Sequence, residues 1–165
     1  MIDLHHLDRY RENNRLEAKR AVGGLPQSLW ETYSAFANTK GGLILLGVEE
    51  HRDKSLHPVD LPDVSGILQD FWEIINDPDK VSANILNDSD VREVNLEGKH
   101  IIVIRVPRAP LRDLPVYLGS SPQNGTFWRS GEGDFRCSPE AVLRMASGLG
   151  EPPILVNPSD RKRER

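Results

Sequence analysis

One stretch limits the possible folds more than any other: Tyr33-Ser34-Ala35-Phe36-Ala37-Asn38-Thr39-Lys40-Gly41-Gly42, running on through Leu43 to Val48 into Glu49-Glu50. Upstream, Leu29, Trp30, Tyr33, Phe36 and Ala37 recur at spacings of three and four, the apolar stripe of a helix lying on a core. Asn38, Thr39, Gly41 and Gly42 read as its structural end, because either glycine can take the left-handed conformation that stops helices. Leu43 to Val48 is a continuous apolar run, the mark of a strand buried on both faces. The unit is therefore a helix, a tight corner, a buried strand and two carboxylates.

That order bears on chemistry. Loops that cradle phosphate run from a strand through glycines into a helix, whose N-terminus faces the anion. Here the helix comes first, so the glycines sit at a C-terminus whose partial negative charge repels phosphate. No Gly-Lys-Ser/Thr triplet is present either, and the sequence argues against an ATP site.

Around this unit the chain reads as mixed. Asn14 to Lys19 alternates, with Arg15, Glu17 and Lys19 on one face and Leu16 and Ala18 on the other, as in a half-buried strand. A helix opens after Leu61-Pro62-Asp63, with Val64, Ile67, Leu68, Phe71, Trp72 and Ile75 inward. Val81 to Leu86 predicts a strand. Val91 to Leu96 and His100 to Val106 flank Glu97-Gly98-Lys99 as a hairpin. Two short strands follow at 116–118 and 126–129, and Ser138-Pro139 starts a last helix. The expected fold is α/β (α+β), a mixed sheet of about five or six strands with helices packed on it. The expected division is an N-terminal arm or short helix over 1–11, one domain over 12–148 and a mobile basic tail over 149–165.

Composition narrows the function. No run approaches the roughly 18 apolar residues of a membrane span, and the N-terminus lacks the basic and hydrophobic regions of a secretory signal. A single cysteine, Cys137, excludes an internal disulfide and a cysteine zinc cluster. A cytoplasmic protein is the expectation. The net charge of −4 runs against the basic footprint of a nucleic-acid binder, so only local clustering can supply one. Such clustering exists: Arg15, Lys19 and Arg20 lie on or beside the first strand, Arg129 ends a late one, and Arg105, Arg108 and Arg112 flank a proline-rich loop. Trp128 and Tyr117 offer surfaces on which bases can stack. The acids Glu12, Glu17, Glu49 and Glu50 come from segments that neighbouring strands would bring together. Clustered carboxylates hold hard divalent ions; equally, these can be solvated surface acids or ion-pair partners of Arg15 and Lys19.

The wording Glu12-Asn13-Asn14-Arg15-Leu16-Glu17-Ala18-Lys19, then Ser34 to Gly42, then Leu46-Gly47-Val48-Glu49-Glu50, resembles the Schlafen-type AlbA domain family. Gly125-Thr126-Phe127-Trp128-Arg129-Ser130-Gly131 and Ser138-Pro139-Glu140-Ala141 resemble its closing strand and helix. The resemblance implies an α/β domain regarded as binding DNA or RNA, found in bacterial transcriptional regulators and helicase-related proteins. An older family label, a divergent ATPase, is at odds with the helix-before-strand order. In Schlafen nucleases three acids of this domain cut RNA with a divalent metal. Carried over, that implies Glu12, Glu17 and Glu49 or Glu50 as catalytic residues, with Glu12, Glu17 and Glu49 holding magnesium or manganese. Ala18 departs from the family's usual Phe, and Glu49-Glu50 stand for Asp-Asp. Those nucleases also pair two lobes; a homodimer of this chain would supply the second. Three readings follow: a nucleic-acid-binding regulatory module with Arg15, Lys19, Arg20 and Arg129 on phosphates, a metal-dependent endoribonuclease, and a protein-interaction or dimerisation domain.

Overall fold

In chain order the elements are β1 (Leu16–Lys19), α1 (Ser28–Asn38), β2 (Gly42–Leu46), β3 (Val48–Glu50), β4 (Leu56–Pro58), α2 (Val64–Ile75), β5 (Val91–Leu96), β6 (Lys99–Val106), α3 (Pro122–Gly125), β7 (Phe127–Ser130), β8 (Gly133–Arg136) and α4 (Pro139–Ala146). The computed structural model describes residues 2–148, and the tail expected at 149–165 lies outside them. A 3-10 turn at Leu4–Arg9 stands where the N-terminal arm or helix was expected.

The strands divide into a four-stranded mixed sheet, ordered β1-β2-β6-β5, and two ribbons, β3-β4 and β7-β8. β1 runs parallel to β2, and the other pairings are antiparallel. The most apolar strands, β2 and β6, take the centre, as burial on both faces requires. Alternation sends Ile44, Leu46, Ile102 and Ile104 to one face, against Trp30, Tyr33 and Phe36 of α1 and Phe71 of α2. Leu45, Ile101 and Val103 face the other way, onto Leu7, Leu16, Val48 and Leu56. Each such fully buried side chain contributes roughly 1.5–3 kcal/mol.

The Gly-Gly corner follows from steric need. Gly41 has φ 75° and donates its N–H to Phe36 O at 2.8 Å, closing the helix end. A Cβ on Gly41 would lie 2.6 Å from Val106 O, and one on Gly42 would lie 2.8 Å from both Arg15 O and the Phe36 ring. The two glycines thus let α1 turn directly into the sheet.

The structure departs from the sequence expectation in four places, and in one of them the strand expected at 116–118 is reduced to isolated bridges, Tyr117 with Thr126 and Leu118 with Val81. The apolar run 43–48 is broken at Gly47, whose φ of 87° turns the chain out of the sheet and into the β3-β4 ribbon. Val81 to Leu86 forms only a single bridge, Val81 with Leu118. There the Tyr33 hydroxyl donates to Ala83 O and accepts from Ile85 N, and Asn84 Oδ1 accepts from Leu86 N, so side chains take the place of a partner strand. Gly133–Arg136, for which the pattern predicts no element, forms a strand. Its two-residue connection Gly131-Glu132 has the positive φ (61°) at its first position that such hairpins favour.

Gly41→Ala is expected to cost about 3 kcal/mol in urea unfolding, against about 1 kcal/mol for Gly98→Ala. Gly98 shares the positive φ (89°) but has open space where its Cβ would sit. Equal losses would mean that backbone conformation alone, without the close approach to Val106, sets the corner.

Candidate functional site

The site is assembled by polar side chains on the buried face of α1. Ser34 Oγ donates to Val116 O (2.7 Å) and accepts from Phe127 N (3.1 Å). Asn38 Nδ2 donates to Val116 O (2.9 Å) and Phe127 O (3.0 Å), while its Oδ1 accepts from Val116 N (2.8 Å). Thr39 Oγ1 accepts from Arg129 N at 3.0 Å. These bonds fasten β7 to the end of α1, some ninety residues away in sequence.

β1 is an edge strand, and its exposed side needs partners. Arg15 and Lys19 carbonyls accept from Leu43 and Gly47 on the β2 side, leaving the groups of Leu16 and Ala18 facing outward. Glu12 Oε2 accepts from Ala18 N at 2.9 Å. Arg129 Nη2 donates to Leu16 O (3.2 Å) and Asn13 O (2.8 Å). The open edge is thus closed by one carboxylate and one guanidinium.

That guanidinium is sealed: the Arg129 side chain is 0% exposed. Its charge is met by Glu17 Oε1 at 2.9 Å and Asp134 Oδ1 at 2.8 Å, and it lies 4.9 Å from the centroid of the Phe36 ring. Burial opposes its charge, but Asp134 and Glu17 outweigh burial and hold the pKa above its ordinary value. Thr32 Oγ1 donates to the second oxygen of Asp134 at 2.7 Å. The second oxygen of Glu17 meets Lys19 Nζ at 3.3 Å, and Lys19 reaches Ser28 Oγ. Both Glu17 oxygens are therefore engaged by cations.

Glu12 has no such counter-ion among the described residues. Burial, followed by the charge of Glu17, pushes its carboxyl up to about 8, and a hydrogen bond with Glu17 also favours the protonated form. Carboxylate oxygens of Glu12, Glu50 and Glu132 lie within 4.8 Å of one another. Three oxygen donors at that separation suit a hard divalent cation. Of the expected acids Glu12, Glu17, Glu49 and Glu50, the structure brings Glu12 and Glu50 together and adds Glu132. Glu17 is held by Arg129 and Lys19. Glu49, next to Glu50 on a strand, points oppositely, to Arg20 (3.3 Å) and His51 (3.1 Å). Glu132 enters from the β7-β8 turn, and its available signal was the Gly-X pair between two apolar-alternating runs.

The expected phosphate-contacting cations also separate. Arg15 is exposed and makes no ion pair among the described residues. Arg20 is exposed but pairs with Glu49, Lys19 is mostly buried beside Glu17, and Arg129 is enclosed, so its guanidinium has no path to a phosphate. Trp128 is buried and Tyr117 half-buried. Cys137 is buried, which pushes its thiol up to about 12 and leaves it inert. No helix among the described residues is long and apolar enough to cross a membrane.

Residues 12–138 match the family described as Schlafen, AlbA_2. Among solved structures, the chain is similar to the N-terminal domain of a RecG-related protein of Nitrosomonas europaea named for an ATP-dependent DNA helicase. The two are 29% identical with a TM-score of 0.60, over 79% of this chain and 88% of that one. It also aligns with a protein of Corynebacterium diphtheriae at 18% identity and TM-score 0.47, over 75% of this chain and 22% of that one. No curated protein matches.

Glu12 makes stability depend on pH. In the unfolded chain it titrates near its ordinary 4.5, in the folded chain at about 8. Between those values the folded state holds a proton that the unfolded state lacks, so stability is full below 4.5 and is lost as pH rises through 8. Glu12→Gln keeps an acceptor for Ala18 N–H and removes the titration. It should therefore be more stable than the wild type at pH 9, by about 1 kcal/mol given partial solvation, with no such gain at pH 4. Parallel pH profiles of urea midpoints for the two proteins would show that Glu12 ionises freely.

Proposed function

The chain belongs to the Schlafen AlbA_2 family, and from that premise we propose that it is a nucleic-acid-binding module of a regulatory or transcription-related protein, working in the cytoplasm. The observation that carries this reading is the kinship, over most of both chains, with the N-terminal domain of a helicase-related protein. The net charge of −4 confines contact to a local basic surface, of which Arg15, the residue before β1, is an exposed member. Phosphate contacts release counterions, so affinity falls with salt. Titrating labelled single- and double-stranded DNA and RNA against the protein at 20–200 mM salt, by about threefold steps, should give binding that weakens steeply with salt. Absence of binding at the lowest salt would end this reading.

A second reading, metal-dependent cleavage of RNA, is favoured by the convergence of Glu12, Glu50 and Glu132. Magnesium or manganese, when bound, would polarise a phosphodiester and acidify a water. Glu12, Glu50 and Glu132 would hold the ion, displacing the proton that Glu12 otherwise keeps. Glu17, pinned by Arg129, would position Glu12 without donating an oxygen of its own. Incubation of folded RNA with manganese is expected to give cleavage that Glu50→Gln and Glu132→Gln each lower by about 100-fold and Glu49→Gln leaves intact. Cleavage unchanged in Glu12→Gln and Glu50→Gln would trace the activity to a contaminant.

A further inference from the structure

A cavity of about 690 Å³ opens at the start of β1, on the sheet face turned away from α1. Its size falls within the roughly 300–1,000 Å³ of ligand pockets. Its floor follows from strand register. Leu16, Leu43 and Arg105 stand side by side across β1, β2 and β6, so two leucines and the stem of an arginine share one row. Tyr10 forms a wall, its hydroxyl fixed by a hydrogen bond from Asp3 N at 2.8 Å. Arg15, Lys40, Arg105 and Arg108 ring this floor, and among the described residues no acidic side chain lines the cavity.

The cations are set in different ways. Arg15 and Lys40 are exposed and make no ion pairs among the described residues. Arg105 is 66% exposed and is anchored at 3.1 Å by Asp90, which is itself buried, so its remaining donors face outward. A concentration of positive charge in a chain of net charge −4 is the place where a polyanion can approach.

We propose that this groove binds single-stranded nucleic acid, with phosphates on Arg15, Lys40, Arg105 and Arg108 and one base against Leu16, Leu43 and Tyr10. The inference rests on the nucleic-acid reading above and adds to it the surface and the strandedness. Free phosphate would leave the apolar floor empty. A duplex keeps its bases stacked inside and cannot lower one into a closed-floored cavity, whereas a single strand presents both faces of an unpaired base.

The test is fluorescence anisotropy with a labelled 12-mer of oligouridylate or oligothymidylate, with an abasic 12-mer of the same backbone alongside. Arg15→Glu and Lys40→Glu alter exposed side chains, and matched thermal midpoints verify their folding. Each should weaken binding by about tenfold or more and flatten the salt dependence by roughly 0.7 per lost contact. Arg92→Glu, on exposed β5 away from the cavity, should change little. The abasic strand should bind more weakly than the base-bearing one. If the wild type binds but Arg15→Glu and Lys40→Glu behave like Arg92→Glu, the groove is overturned and the nucleic-acid module stands. Equal affinity for the abasic strand removes the base from the groove. A wild type that binds neither strand at low salt overturns the module reading and the groove together.

Discussion

The hydrogen bonds that Ser34, Asn38 and Thr39 send from α1 to the backbone of Val116, Phe127 and Arg129 hold the two halves of the chain together. All three side chains are buried, at 8% exposure or less. Each satisfied bond adds only about 1 kcal/mol net, but an orphaned buried partner costs about 1–3 kcal/mol. Asn38 alone serves three backbone groups of a distant segment, so an apolar residue of similar size would strand several at once. Specificity for one docking of the late ribbon comes from this asymmetry more than from attraction. The Asn-Thr-x-Gly-Gly wording is thus a docking device as well as a helix stop.

What that docking delivers is Arg129. A buried guanidinium with two carboxylates is not in itself a strong source of stability, because desolvation offsets much of the Coulomb gain. Its consequence lies in how charge is shared out. Glu17 and Asp134 are both committed to Arg129, and Lys19 takes the remaining oxygen of Glu17. Glu12, left without a cation and facing the charge of Glu17, keeps a proton. Glu12 also closes the edge at Ala18, so an acid without a neighbouring cation among the described residues is fixed in place by a backbone N–H.

Much of the scaffold was legible because local signals and tertiary demands agree. The stripe from Leu29 to Ala37, the corner at Gly41 and the hairpin around Gly98 each read correctly from spacing alone. The site was less legible, for identifiable reasons. Gly47 sits inside an apolar run, and what marks it as a bend is tertiary: a Cβ there would run into Leu61 and the Val59 carbonyl. Glu132 stands between two glycines in the β7-β8 turn, and its approach to Glu12 and Glu50 depends on how that ribbon docks, which local pattern does not carry. Arg129 looked like a surface cation because nothing local distinguishes a buried arginine from an exposed one. Its partners lie 112 and 5 residues away.

The acidic and basic surfaces meet at β1 and the residue before it, and this sets a limit on how independently they can vary. Arg15 opens onto the groove, while Glu17 and the edge group of Ala18 serve the acid cluster. Both positions depend on one register, in which Leu43 N bonds Arg15 O and Gly47 N bonds Lys19 O. A slip of one residue would carry Leu16 out of its core and turn Glu17 into it, since strand side chains alternate strictly. The apolar face of a four-residue edge strand therefore fixes where cations and acids stand relative to each other. A strand that short has little pairing of its own to resist slipping, so Glu12 at Ala18 and Arg129 at Leu16 act as locks on the register as well as members of the site.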